Sequence, residues 1–306
     1  MDTIVTVEHL AKRYGQATAV ADVSFDVTRG EIFGIVGPNG AGKTTTVELL
    51  QGLRRPDAGR IEVLGLDPQR DVAAIRQRLG TQLQSAVLPD RLKVWEALDL
   101  YATYYDDPAD PQQLLADWDL ADKRNAAFDS LSGGQRQRLF IALALIGTPE
   151  LVFLDELTTG LDPQARRLTW DHIRAIRARG VTVVLVTHFM DEAETLCDRI
   201  AVIDAGRVAA LDTPARLTRR AGQAQQVRFT APAGFSPQWL AGVAGVEHID
   251  HSGATVIITG SGPLLARVAT TLAAHDAAPD DLTVQRTSLE DAFLALTGPR
   301  TPTPSS

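Results

Sequence analysis

Cysteine is almost missing from this chain. One occurs in 306 residues, Cys197, which excludes an internal disulfide framework and suits a reducing compartment such as the cytoplasm. Long apolar runs are missing as well. No stretch reaches the ~18 uninterrupted apolar residues that a membrane-spanning helix needs. The longest, residues 139–146 and 183–186, read as buried helix and buried strand. Positive charge is in deficit: 30 Lys and Arg against 38 Asp and Glu leave a net charge of −8. That disfavours a nucleic-acid-binding surface. The opening MDTIVTVEHL has no basic segment leading into an apolar one, so no secretion signal is expected. What is present is 44% apolar residues, enough for the core of one large or two moderate domains.

Local texture divides the chain. Short β-rich runs (IVTVEHL, AVADVSFDV, EIFGIV) occupy the first 60 residues, and a glycine loop followed by the helical TTTVELLQGL comes next. From about Ser85 to Asp129 helix formers, aromatics and acids dominate, broken by Pro108 and Pro111, and a helical insert is expected over about 85–145. LVFLDE and VTVVLVTH are continuous apolar strands joined by an amphipathic helix, the pattern of a buried parallel sheet. RIAVIDAGRVAALD predicts a hairpin around Ala205-Gly206. Near 220 the composition shifts. Residues 222–306 carry only four Lys and Arg and seven Asp and Glu, against 22% charged residues overall. The expected division is therefore an α/β domain over 1–220 and a small α+β domain over 221–298, of the order βαββαβ with a closing helix. A disordered tail is expected over 299–306.

Three motifs carry chemistry. GPNGAGKTT (Gly37, Pro38, Asn39, Gly40, Ala41, Gly42, Lys43, Thr44, Thr45) follows a strand and opens a helix, the context a phosphate-binding loop requires. Its glycines turn backbone amides inward on phosphate oxygens, Lys43 reaches the β/γ-phosphates, and Thr44 offers a hydroxyl to Mg²⁺. LVFLDE sets Asp155 and Glu156 at the carboxyl end of a buried strand, where open α/β sheets bind ligands. Asp155 would face the Mg²⁺ and Glu156 would orient an attacking water. LSGGQ (Leu131, then Ser132, Gly133, Gly134 and Gln135) is a second glycine turn opening a second helix. Ser132 can cap that helix, and the bare amides and helix dipole make an anion site without a carboxylate. By residue type alone it could equally be a serine-capped core helix.

GPNGAGKTT, LSGGQ, LVFLDE and Thr187-His188, in this order and spacing, resemble the ABC-type ATPases over residues 1 to about 220. The resemblance implies a P-loop ABC ATPase fold with a mixed β core, an antiparallel N-terminal sheet and a helical insert. It implies ATP and Mg as ligands and a head-to-tail homodimer, in which Ser132, Gly133, Gly134 and Gln135 of one subunit bind the ATP held by the other. Glu156, His188 and Lys43 would be catalytic. Tyr14 would stack on adenine, although a surface tyrosine packed on a strand is the simpler reading of that residue alone. Gln84 would reach Mg²⁺ and border the groove for a membrane partner; Gln82 competes, but the spacing from Gly80 favours Gln84. TTGLDP, Thr158 to Pro163, resembles the loop that crosses to the other subunit, with Leu157 where proline is usual.

The region ending SLEDAFLALTG resembles the tail of daunorubicin-resistance-type exporter ATPases. That implies a separate polytopic membrane permease, a location at the inner face of the cell membrane, and export of a drug, antibiotic or other hydrophobic compound. Two competing readings are a soluble ABC ATPase serving a ribosome or nucleic acid, and a module that binds ATP without hydrolysing it. The acidic balance and the single cassette count against the first, intact Glu156 and His188 against the second. Other features read as structural: MDEAE after His188 as a solvated helix face, His248, Asp250 and His251 as strand surface, and Cys197 as core.

Overall fold

The computed structural model describes residues 2–82, 87–220, 225–232, 234–286 and 288–297. Its chain parts into two compact units, Met1–Pro214 and Ala215–Ser306. The first begins with an antiparallel hairpin, β1 (Thr3–Tyr14) and β2 (Ala17–Thr28), turned at Gly15 with φ +58°. β3 (Ile32–Val36), α1 (Lys43–Leu50), β4 (Ala58–Val63), α2 (Val72–Arg76) and β5 (Leu79–Gln82) follow. The insert contributes α3 (Val94–Ala102), α4 (Pro111–Asp117) and α5 (Gly133–Leu145). The chain then returns through β6 (Leu151–Asp155), α6 (Pro163–Ala178), β7 (Thr182–Thr187) and α7 (Met190–Leu196) to a hairpin of β8 (Arg199–Asp204) and β9 (Arg207–Asp212).

These strands form one mixed sheet in the order β4-β1-β2-β9-β8-β3-β7-β6-β5. The N-terminal end is antiparallel, and β8-β3-β7-β6-β5 run parallel. Every residue of β3, β6 and β7 is buried. Strands buried on both faces need no polar alternation, which is why these three are continuous apolar runs. The β8–β9 turn places Ala205 (φ +48°) and Gly206 (φ +72°) in the left-handed region, as a two-residue hairpin loop of this twist demands.

Local signals set the insert's helices. Asp110 caps α4 by accepting from the Gln112 amide at 2.9 Å, and Pro111 takes the first helical position. Gln77, just after α2, ties insert to sheet: its Nε2 donates to the Tyr104 carbonyl, and its Oε1 accepts from the Asp106 amide, both at 3.0 Å.

The division between the units falls at the start of α8 (Pro214–Arg220), after its first residue, a few residues ahead of the composition shift at 220. A helix rich in arginine resembles the first unit in composition, which is why composition alone displaces the boundary. β10 (Gln225–Thr230), α9 (Gln238–Ala241), β11 (Val246–Ser252), β12 (Thr255–Gly260), α10 (Leu264–Ala274), β13 (Thr283–Arg286) and α11 (Leu289–Thr297) follow. The sheet order β11-β12-β10-β13, antiparallel throughout, is a split βαβ arrangement. α10 buries Leu264, Val268 and Leu272, four residues apart on one stripe, against Val227, Phe229, Val256 and Ile258. His248, Asp250 and His251 are exposed on β11, and the alternation of the strand separates His251 from the other two.

Candidate active site

Three neighbouring parallel strands end at one level. Register pairs Val36 of β3 with Thr187 of β7, and Asp155 of β6 with Val186 of β7. The segments that leave these ends, the loop 37–45, Glu156 and His188, therefore emerge side by side. This is the carboxyl edge where parallel sheets hold ligands.

The glycine loop is shaped by close approach. Gly42 has φ +101°, and a Cβ there would run into the Ala19 carbonyl; a Cβ on Gly37 would meet the Ile203 carbonyl. Gly42→Ala is thus expected to cost about 1–3 kcal/mol in backbone strain. Thermal melts should show a lower Tm and nucleotide titration a weaker Kd. A variant with wild-type values of both would contradict this loop geometry.

Lys43 is buried and folds back on its own loop, donating to the Gly37 carbonyl at 2.8 Å and the Pro38 carbonyl at 3.1 Å. Burial lowers its pKa, and the nearby Glu156 and Asp155 charges oppose that. A cleft of about 410 Å³ opens over the loop, lined by Tyr14, Ala19, Asn39, Gly40, Gly42, Lys43, Thr44, Thr45 and Glu156. Thr44 is exposed to it, and Tyr14 is 43% exposed at its rim with the Lys12 ammonium 5.6 Å from its ring centre.

The acids differ in environment. Asp155 is 3% exposed, and its Oδ1 meets no hydrogen-bond partner among the described residues. Burial first, and Glu156 second, push its pKa up to about 6. A buried carboxylate left in that condition fits a cation beside it, since a bound charge would offset the desolvation. Glu156 has φ +50°, and its amide donates to the Val186 carbonyl at 2.9 Å. Its Oε1 lies 3.1 Å from His188 Nδ1. Lysine, two acids, a histidine and open amides around one cleft can hold a polyphosphate, a divalent cation and an attacking water.

The segment 132–135 is absent from the lining of that cleft. It forms a reciprocal cap on α5: Ser132 Oγ accepts from the Gln135 amide at 3.3 Å, and Gln135 Oε1 accepts from the Ser132 amide at 2.9 Å. Gly133 and Gly134 are helical without positive φ, and a Cβ on either would meet nothing within 4 Å. Among the described residues of their own chain, nothing requires glycine there.

Gln84 lies outside the described residues. Its competitor Gln82 is buried at the end of β5 and lines a different cavity. Leu157 is buried, and Asp162 caps α6 by accepting from the Gln164 and Ala165 amides, each at 2.9 Å. Cys197 is buried just past α7, where a Cβ on Gly34 would press on its Sγ. One reading is corrected: MDEAE is not a solvated face, because Glu192 is fully buried beside Ala193 and Leu196. Glu192 stands four residues before Leu196, on the same helical stripe, and that spacing is the signal that could have found it.

Comparison with known proteins agrees with this geometry. A family model described as ABC transporter matches residues 20–159. The daunorubicin resistance ATP-binding protein DrrA3 of Streptomyces coeruleorubidus is 38% identical over 305 residues, covering 97% of this chain and 96% of that one. The chain belongs to the ABC transporter ATP-binding proteins. It is an ATPase of that family, in the branch that also holds the Nod factor export ATP-binding protein I of Ralstonia nicotianae, 40% identical over 304 residues with 96% and 94% covered. Among solved structures, a dimeric ATP-binding cassette in a post-hydrolysis state bound to ADP and Pi matches with TM-score 0.62 and 25% identity. That match covers 69% of this chain and 98% of the other. The ABC ATPase fits what the cleft can do: a phosphate loop, a buried acid and a Glu–His pair at one sheet edge.

Proposed function

We propose that this ATPase works as a head-to-tail homodimer, drives a separate membrane permease, and exports a drug, antibiotic or other hydrophobic compound. The observation that carries the dimer is the unexplained pair Gly133-Gly134. Glycine in a helix costs up to about 1 kcal/mol relative to alanine, and the packing of the described residues asks for neither. A phosphate brought up by a second copy requires both: bare amides at a helix N-terminus, with no side chain in the way. That a solved cassette of the same fold is dimeric in a post-hydrolysis state bound to ADP and Pi supports a dimer.

Within each site Lys43 exchanges its two loop carbonyls for phosphate oxygens, and Tyr14 stacks on the base. Thr44 and Asp155 would hold Mg²⁺, with Gln84, which lies outside the described residues, expected to join them. The ion supplies charge neutralisation of the phosphates. Glu156 accepts a proton from the attacking water, and His188, held at 3.1 Å from it, contacts the γ-phosphate. Ser132, Gly133, Gly134 and Gln135 complete the site from the other subunit.

A second cavity, of about 590 Å³, supports the permease. It lies between the insert and the sheet, lined by Tyr101, Tyr104, Tyr105, Phe140, Leu143 and Gln82 among others. Tyr104 is 64% exposed and Leu100, close by on α3, is 45% exposed, an aromatic groove suited to a helix from another chain. No helix among the described residues is long and apolar enough to cross a membrane, so the transport path belongs to that other chain. The subunit then sits on the cytoplasmic face. The relatives' names, daunorubicin resistance and Nod factor export, support the direction.

Gly134→Asp tests the trans arrangement. A carboxylate where phosphate must sit should cut hydrolysis at least about a hundred-fold, with nucleotide affinity of the monomer within about two-fold of wild type. Full activity would refute it. Purification in detergent should bring down a polytopic membrane protein; recovery of rRNA instead would point to a ribosome factor.

A further inference from the structure

An ionisable side chain behind the active site has no part in the chemistry described so far. Glu192 is 0% exposed. The Trp170 indole Nε1 donates to its Oε1 at 3.1 Å. Its Oε2 and the Thr158 hydroxyl are both shut away from water and meet no hydrogen-bond partner among the described residues, while the hydroxyl is near enough to hold the carboxyl's pKa down. The Thr187 hydroxyl also reaches the carboxyl and accepts from the Phe189 amide at 3.0 Å, fixing the turn in which His188 sits.

We propose that Glu192 is a positioning residue, whose carboxyl ties the loop 158–163 and helix α6 to the strand end that presents His188 to Glu156. The proposal rests on the hydrolytic roles of Glu156 and His188 given above. Three elements meet on one side chain: Thr158 opens the loop after β6, Thr187 ends β7, and Trp170 belongs to α6, which starts directly after the loop at the Asp162 cap.

A second clamp reinforces the first. Arg166, four residues before Trp170 and so on the same helix face, lies over the Phe189 ring at 4.5 Å and pairs with Asp191 at 3.3 Å. Phe189 in turn packs on His188, ring centres 4.1 Å apart. A displacement of the loop is thereby passed to His188 by α6 and by Glu192 together. Burial pushes the Glu192 carboxyl above the ordinary range, against the hydroxyl and indole hydrogen bonds that stabilise its charge. An apolar residue of this volume would avoid that desolvation, so packing alone does not explain the acid.

The test is steady-state ATP hydrolysis by the full chain with its permease, kcat and KM separated, on variants checked by thermal melting. Glu192→Met fills the volume without hydrogen bonds and should lower kcat by about ten-fold or more while KM for ATP stays within about two-fold. Glu192→Gln keeps the indole bond and can pair with a hydroxyl, so it should restore most of kcat. Should the methionine variant fail to fold, Thr158→Val, isosteric and without the hydroxyl, should lower kcat at unchanged KM. A folded Glu192→Met or Thr158→Val with wild-type kcat overturns the proposal, as does a loss confined to KM or a glutamine variant as impaired as methionine. A wild-type chain that does not hydrolyse ATP overturns the hydrolytic reading itself, and this proposal with it.

Discussion

Glu156→Gln should lower ATP turnover by about 10²–10⁴-fold, the usual worth of a positioned general base, while ATP affinity changes little. Glutamine has the shape of glutamate, and its amide oxygen can still face His188 Nδ1, 3.1 Å away in the native site. The left-handed backbone at this position, φ +50°, is pinned by the bond from its amide to Val186 and is unaffected by the change. What is lost is the ability to take a proton from water. If two copies close over ATP as proposed, the blocked enzyme should also accumulate as a nucleotide-dependent dimer, visible by sedimentation at saturating ATP. Normal turnover in this variant would remove Glu156 from the mechanism. Lost turnover with a monomer at every ATP concentration would instead remove the dimer.

Asp155→Asn should make the nucleotide-free protein more stable and inactive. The Asp155 carboxyl titrates at about 6 in the fold against an ordinary 3.8. Because the folded value is raised, the charged form is disfavoured in the native state. The penalty is fully present above about pH 6 and is relieved as pH falls toward 3.8. A shift of that size corresponds to about 3 kcal/mol at neutral pH. Asparagine carries no charge to desolvate, so Tm should rise at about pH 7.5, and the contribution of this site to pH dependence near 6 should vanish. Hydrolysis should be lost in the same variant, because an amide is a poor ligand for Mg²⁺ beside Thr44. Stability given up at a functional site is the expected trade. Equal melting curves for variant and wild type at that pH would mean the carboxylate is better solvated than its burial implies.

Both expectations concern residues that are legible in the sequence, and the reason is local. A phosphate loop must have its glycines, lysine and hydroxyl close together along the chain, and a helix cap must have its serine beside the helix it closes. β6 and β7 can be read as buried parallel strands because burial on both faces writes an unbroken apolar run. Glu192 escapes for the complementary reason. Acids at the start of a short helix look solvated when only composition is weighed, although the four-residue spacing from Glu192 to Leu196 puts both on one stripe. The second-unit boundary is displaced because α8 shares the arginine content of the unit before it.

Residue order alone shows which side chains could cradle phosphate, meet a cation and move a proton, and that two glycine turns, not one, each open a helix. Three-dimensional packing settles which of them meet. The order β3-β7-β6 brings Lys43, Glu156 and His188, far apart along the chain, to one edge, and leaves residues 132–135 outside that cleft. Local periodicity records which face of an element is apolar. It does not record which strand lies beside which, because that follows from how crossover helices pack the sheet as a whole.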